Sequence, residues 1–276
     1  MTAINKFLSA LSRVLYGKNF GTKSKTKWDY ILIPFYALML ALVFRSLFFD
    51  NFHVPSGSMQ NTLLVGDKIT ISKFSYGYSR YSFPFGVIPF EGRVLEKQPQ
   101  RGDIVVFKYP GNRRINYVKR LIGLPGDTIR MSQGVLYINN QKIPKKFVAT
   151  YEETDEYGES HKMQRYLETL PNGVSYEVLD EYDNAYADNT PEYTVPADHY
   201  LMLGDNRDHS QDSRFSIVGF VPKELLLGRV EKILISSPNS LLNVFAWHKI
   251  RFNRIWKDPM EIEVGEPDVV PDKKYT

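Results

Sequence analysis

The rhythm of hydrophobic and polar positions changes twice along this chain. Over residues 1–20, Ile4, Phe7, Leu8, Leu11 and Leu15 recur at helical spacing while Lys6 and Arg13 fall elsewhere on the wheel. That spacing predicts a short amphipathic helix lying on a membrane or a partner. A basic, glycine-containing linker follows, 17-GKNFGTKSKTK-27. The run 30-YILIPFYALMLALVF-44 is then uncharged and continues past Arg45 as Ser-Leu-Phe-Phe. Residues 29–49 are therefore expected to form one transmembrane helix behind a cytoplasmic segment, residues 1–28. Trp28, Tyr30, Phe48 and Phe49 suit the two interfacial belts, and Arg45 can snorkel. Lys18, Lys23, Lys25 and Lys27 place the N-terminus inside and everything after residue 50 outside. No small-x-small cleavage pattern follows the run, so it reads as a retained anchor.

Beyond His53 the apolar period shortens towards two. A Gly-Asp pair followed by a strand-like run occurs three times, at 66-GDKITI, 102-GDIVVF and 126-GDTIRM. Glycine supplies unusual φ and aspartate bonds the local backbone, so the pair suits strand entry. The pattern predicts an all-β body of antiparallel sheets made from residues 50–139 and 201–256. Residues 140–200, with more charge and weaker alternation, are expected to be a smaller inserted β lobe. The aromatic stretch 74–90 reads equally as a hairpin dipping into a membrane surface or as core. Residues 222–235 read as a helical turn feeding a last strand, 241–256 as a membrane-proximal segment, and 257–276 as a mobile tail.

Charge and composition narrow the chemistry. Among 276 residues, 35 Lys+Arg against 31 Asp+Glu give a net +4, too mild a balance for nucleic-acid binding. The absence of cysteine excludes disulfides and Cys-based metal sites. The five histidines form no His-x-x-x-His pair, which argues against a zinc hydrolase. A calcium loop starting at Asp208 fails because its sixth position is Ser213 and its twelfth Gly219. No metal or other cofactor is expected.

Three stretches carry reactive side chains. In 53-HVPSGSMQNTLLVGD-67, Ser58 follows a glycine in a polar turn, where its hydroxyl is either presented to a substrate or part of a plain surface turn. In 115-INYVKRLIG-123, strand alternation puts Lys119 on the face of Ile115, Tyr117 and Leu121. A desolvated lysine there loses pKa and becomes a general base; at an exposed strand end it merely snorkels. Serine needs such a base to become a nucleophile. In 201-LMLGDNRDHSQDSRFSIVG-219, Arg207 and Arg214 stand ready to pair with Asp205, Asp208 or Asp212.

Taken together, 55-PSGSM-59, 102-GDIVVFKYP-110 with 117-YVKRLIGLPGD-127, and 204-GDNRDHSQDSR-214 resemble the type I bacterial signal peptidases (leader peptidases). The blocks stand in that family's order, behind an anchor, and span most of residues 45–235. The resemblance implies a membrane-bound serine endopeptidase of the inner membrane that works on the periplasmic side and removes signal peptides from exported preproteins. Ser58 matches the nucleophile and Lys119 the general base. Ser56 and the Ser58 N–H match the oxyanion hole, and Ser210 the serine that orients the lysine. Arg120, Asp205, Arg207, Asp212 and Arg214 match structural support, with Arg120 expected to pair with an aspartate. The implied partners are preprotein signal regions and membrane lipid. Two positions depart from the family pattern: Asn61 stands where proline is usual, and His209 where asparagine is common. Alternatives of other classes are a catalytically silent membrane-tethered binding module, a Ser-Lys protease that cuts only itself, and a structural envelope protein.

Overall fold

In the computed structural model, residues 28–83, 90–154, 160–238 and 249–261 are described. The expected amphipathic helix over 1–20, the basic linker, the tip of the aromatic stretch at 84–89, residues 241–248 and the tail beyond 261 lie outside them. Two compact units divide the chain at Arg45 and Ser46.

Helix α1 (Asp29–Leu47) forms where the uncharged run predicts it, and Pro34 sits in its second turn. Its described side chains from Tyr30 to Val43 are all exposed. Among the described residues, however, no helix is long and apolar enough to cross a membrane. The expectation of a spanning helix over 29–49 is corrected to that extent. The 19 residues of α1 rise about 28 Å, slightly less than a roughly 30 Å hydrocarbon core, and they include Asp29, Pro34 and Arg45.

The second unit is all-β. Its strands are β1 (Phe49–His53), β2 (Asp67–Ser72), β3 (Ile104–Lys108), β4 (Asn116–Gly123), β5 (Thr128–Ser132), β6 (Val135–Ile138) and β7 (Gln141–Lys142). They continue with β8 (Lys145–Thr154), β9 (Ser160–Thr169), β10 (Ser175–Asp180), β11 (Tyr193–Thr194), β12 (His199–Leu203), β13 (Val221–Pro222) and β14 (Leu226–Ser236). They build a seven-stranded sheet in the order β1-β2-β14-β3-β4-β12-β13, a three-stranded sheet β10-β9-β8 and a four-stranded sheet β11-β5-β6-β7, with all strand pairs antiparallel.

The continuous apolar run in β3 follows from its place in the middle of the large sheet, where both faces are covered. Alternation sends Ile104 and Val106 into a core with Ile69, Ile71, Val230 and Ile233, and Val105 and Phe107 into one with Leu121, Met202 and Leu226. A third core, with Ile129, Leu136 and Leu203, draws on all three sheets. Lys223–Leu225 forms a single 3-10 turn leading into β14. Residues 257–261, expected to open the mobile tail, are instead fastened to the body. The Lys257 carbonyl accepts from Ile233 N–H, Asp258 pairs with Lys232, and Met260 packs on the core that contains Ile69.

The three Gly-Asp pairs make one repeated device. At Asp67, Asp103 and Asp127 the backbone N–H donates to the carbonyl three residues earlier (3.0, 3.1 and 3.0 Å). The carboxylate accepts that earlier residue's N–H in return (2.9, 2.9 and 2.6 Å). The preceding glycines have φ of +92°, +98° and +87°, as the third position of a type II turn requires. Gly66→Ala and Gly126→Ala separate conformational strain from collision. A Cβ at Gly126 meets nothing within 4 Å, whereas one at Gly66 lies 2.1 Å from the Ser237 carbonyl oxygen. Urea unfolding is expected to show a loss of about 1–2 kcal/mol for Gly126→Ala, from the left-handed φ alone, and a clearly larger loss for Gly66→Ala. Equal losses would contradict this account.

Candidate active site

The loop between β1 and β2 is closed at its base by backbone bonds that tie Val54 to Gly66 and Asp67. Within it, Gly57–Met59 makes a 3-10 turn, with Ser56 extended before it. Met59 and Leu63 are fully buried in the core beneath. Burying these apolar side chains fixes the loop from below and leaves Ser58 at its top, 7% exposed.

Lys119 comes from β4, sixty-one residues later. Its Nζ lies 2.5 Å from Ser58 Oγ and 3.1 Å from the Val118 carbonyl oxygen, and 5.4 Å from the centre of the Tyr117 ring. The side chain is almost wholly enclosed, with 4% of the residue exposed. Burial lowers its pKa from 10.5 to about 8, against the pull of Asp212 and Asp205 towards the charged form and with a further push down from Arg214. Ser56 Oγ stands 3.5 Å from Ser58 Oγ.

The segment 204–214 presses on this pair from β12. A Cβ at Gly204 would lie 2.1 Å from Ser210 Oγ and 2.6 Å from the Ser58 carbonyl oxygen, so only glycine lets the two chains approach this closely. Asn206 clamps the serine turn twice: its N–H donates to the Ser58 carbonyl and its side-chain amide to that of Gly57, both at 3.2 Å. Asp205 takes both Arg120 Nε (2.8 Å) and Nη2 (2.6 Å) and accepts from Thr62 Oγ1. Burial works against the Arg120 guanidinium, but Asp205 outweighs it and raises the pKa. Asp212 pairs with Arg214 at 2.9 Å; burial pushes its carboxyl up, and Arg214 overrides this and holds it below the usual range.

Two expectations for this segment need correction. Arg207 does not pair with an aspartate of its own stretch; it takes Glu168 of β9 through Nη1 (2.9 Å) and Nη2 (2.5 Å). Burial opposes the Arg207 charge, and Glu168 reverses the balance and raises its pKa. Ser210, although 4% exposed and close to Gly204, does not hydrogen-bond Lys119. Its hydroxyl favours the Asp212 carboxylate without making a hydrogen bond of ordinary geometry.

Sequence reasoning missed Glu168, Tyr176, Glu177 and Asn206. Tyr176 donates to Glu168 at 2.8 Å and lies under the Arg120 guanidinium, 4.2 Å from ring centre to Cζ. Glu168 and Tyr176 sit on strands whose own alternation gives no sign of a polar core, so only the charge-rich composition of 140–200 could have pointed to them.

Over the pair opens a cleft of about 380 Å³. Phe52, Ile69, Val106 and Val118 supply apolar surface, and His53, Asn116, His209 and Gln211 supply polar groups. His209, a departure from the family pattern, contacts Glu181. On β4 the pairing with β12 covers only Arg120–Gly123, so the stretch Asn116–Lys119 has β3 as its strand partner on one side and faces the cleft.

As for metals, Asp180, Asp188 and Asp208 bring carboxylate oxygens within 4.8 Å of one another. Lys145 is paired with Asp180, the Ala185 N–H with Asp188, and the N–H groups of Glu181 and Tyr182 with Asp208. Donors of the chain itself thus already answer much of that charge.

Residues 27–235 match the family described as signal peptidase, peptidase S26. A protein named Signal peptidase I from Rickettsia typhi is 39% identical over 265 residues, covering 89% of this chain and 98% of its own. One of the same name from Rickettsia conorii is 41% identical over 243 residues, with 81% and 90% covered. A solved signal peptidase I from Enterococcus faecalis V583 is 31% identical and covers 48% of this chain and 97% of that one, at a TM-score of 0.30. With most of its length matched and relatives this similar from end to end, the chain belongs to the signal peptidase family, peptidase S26.

Proposed function

We propose that this chain is a membrane-attached endopeptidase that removes N-terminal signal peptides from exported preproteins through a Ser58–Lys119 acyl-enzyme. The observation that carries this reading is the enclosed lysine amine 2.5 Å from the serine hydroxyl, with its pKa brought down to about 8. Family membership supports the substrate class.

In this reading neutral Lys119 accepts the Ser58 proton as Oγ attacks the carbonyl carbon of the scissile peptide. The resulting oxyanion is held by the Ser58 N–H and by Ser56 Oγ, whose donors strengthen as charge develops. Lysine then returns the proton to the leaving amine, the C–N bond breaks, and the mature protein departs. Lys119 next takes a proton from water as it attacks the ester carbon, and returns that proton to Ser58 Oγ as the ester bond breaks and the signal peptide acid leaves. Arg120, Asp205, Arg207, Asp212 and Arg214 act as scaffolding, and Ser210 acts on the lysine indirectly through Asp212. No metal or other cofactor takes part in these steps. The substrate segment lies extended along Asn116–Lys119, adding a strand where β12 leaves β4 uncovered. β1–β4 and β12–β14 form the catalytic body, around an inserted lobe that carries β5–β11.

The exposed apolar side chains of α1 attach the protein to the inner membrane.

Cleavage of a preprotein carrying Ala at the first and third positions before the cut, followed by mass spectrometry of the products, tests the reaction. Folded Ser58→Ala and Lys119→Ala variants are expected to lose at least about 1,000-fold in rate, and Ser56→Ala about 100-fold in kcat. A Lys119→Ala enzyme that cuts at the wild-type rate would remove the proposed base. The base must be neutral to act, and its charged form prevails below its pKa. The kcat/KM profile should therefore climb with pH and level off above about 8; a profile that is flat from pH 6 to 9 (about the span over which such a lysine changes charge) would contradict the assignment. For the attachment, the full chain is expected to stay with membranes after a high-pH carbonate wash, and recovery in the supernatant would exclude α1 as an anchor.

A further inference from the structure

Three residues after the proposed nucleophile, Asn61 has a φ of +80°. Asparagine tolerates that left-handed region better than most residues. Proline, with φ fixed near −65°, could not occupy this backbone. The side chain is committed too. Asn61 Nδ2 donates to Glu177 Oε2 at 2.5 Å across 116 residues of chain. Glu177 lies in β10 and is 8% exposed, its Oε1 is buried without a hydrogen-bond partner, and the nearest cation is Arg165 Nη1 at 3.7 Å. A carboxylate enclosed in this way is costly unless it is used, and its one close hydrogen bond goes to the loop that carries Ser58.

From this geometry we infer that Glu177 is a positioning residue for Ser58, acting through Asn61; the inference rests on the Ser58–Lys119 reading above. The loop is held from several directions, among them Arg254, which donates to the Thr62 carbonyl. Met59 and Leu63 anchor it in the core. Asn206 and the Thr62–Asp205 bond hold it from the 204–214 segment. Asn61–Glu177 is the tie to the three-stranded sheet, and it bears on the one residue of the loop other than glycine whose backbone is in the left-handed region. When the tie is cut, Asn61 can relax to negative φ, and the rotation passes back along Gln60 and Met59 to the serine. Where a proline would restrain this turn covalently, the chain has a hydrogen bond between its two halves. The three-stranded sheet thereby gains a part in the reaction without touching substrate.

The test uses the full chain in detergent, with kcat, KM and the thermal midpoint measured for each variant well below its own unfolding temperature. Asn61→Gly removes the donor and leaves the backbone free to take either sign of φ without strain; Glu177→Ala removes the acceptor. Each is expected to lower kcat about tenfold by displacing the nucleophile, with KM unchanged. The double variant should be no slower than either single one, because both cut the same tie. Glu177→Gln, which keeps an acceptor oxygen, should restore most of the rate. So should the exchanged pair Asn61→Asp with Glu177→Gln, in which donor and acceptor trade places, whereas Asn61→Asp alone sets two carboxylates against each other and should be slow. Wild-type kcat in Asn61→Gly and Glu177→Ala would overturn the inference. Losses that multiply in the double variant, or that follow the thermal midpoint without rescue by Glu177→Gln, would do so as well. Ser58→Ala and Lys119→Ala run alongside: if they still cut, the dyad reading itself has failed, and if they are dead while Asn61→Gly and Glu177→Ala keep full kcat, only the positioning role has failed.

Discussion

Everything in this site turns on lowering the pKa of one amine inside a protein that surrounds it with acids. Enclosure disfavours the ammonium form of Lys119, but Asp212 and Asp205 nearby favour it. Left unpaired, two buried carboxylates would pull the lysine back towards its ordinary pKa. Each is bound instead to its own guanidinium, Asp205 to Arg120 through two hydrogen bonds and Asp212 to Arg214. Arg214 thus has an electrostatic function beyond holding the loop: it opposes the carboxylate fields, and desolvation dominates at Lys119.

That requirement explains why so much charge is buried here. Replacing a buried ion pair by apolar groups of the same shape is often neutral or stabilising, so these pairs are poorly accounted for as sources of stability alone. Their geometry points to register. Arg120 follows Lys119 in β4, so the bond to Asp205 fixes the height of the strand against the 204–214 segment. Arg207 reaches the other way, to Glu168 on β9. The isolated parallel bridge between Leu179 and Asn206 closes the arrangement from β10. Serine turn, lysine strand and charged segment are therefore held by polar contacts with directions, while the apolar cores beneath supply the non-directional part of the stability.

The two departures from the family pattern do different things. His209 lines the cleft and contacts Glu181. Asn61 lies behind the nucleophile, and its left-handed backbone together with its bond to Glu177 gives the turn a restraint of another kind from a proline ring.

Local rules made much of this legible in the sequence. Period-two alternation and the Gly-Asp turns announced the strands at 67, 104 and 128, because a type II turn with an Asp side chain closing on its own backbone is decided within four residues. The uncharged run announced α1, and the linear order of Ser58, Lys119 and the 204–214 segment singled out side chains that the structure brings together. What the sequence could not decide is which partner each charge would choose. Arg207 had three aspartates within five residues and took Glu168, because β9 brings that carboxylate underneath it and chain proximity does not. Asn61 and Glu177 stand 116 residues apart, and nothing local to either announces the other. The pKa of Lys119 belongs to the same class: alternation placed it among apolar neighbours, but the extent of its enclosure and the opposition of Arg214 to the nearby acids exist only once the strands are paired. Backbone conformation and burial patterns are set by neighbours along the chain; desolvation and ion pairing are set by neighbours in space.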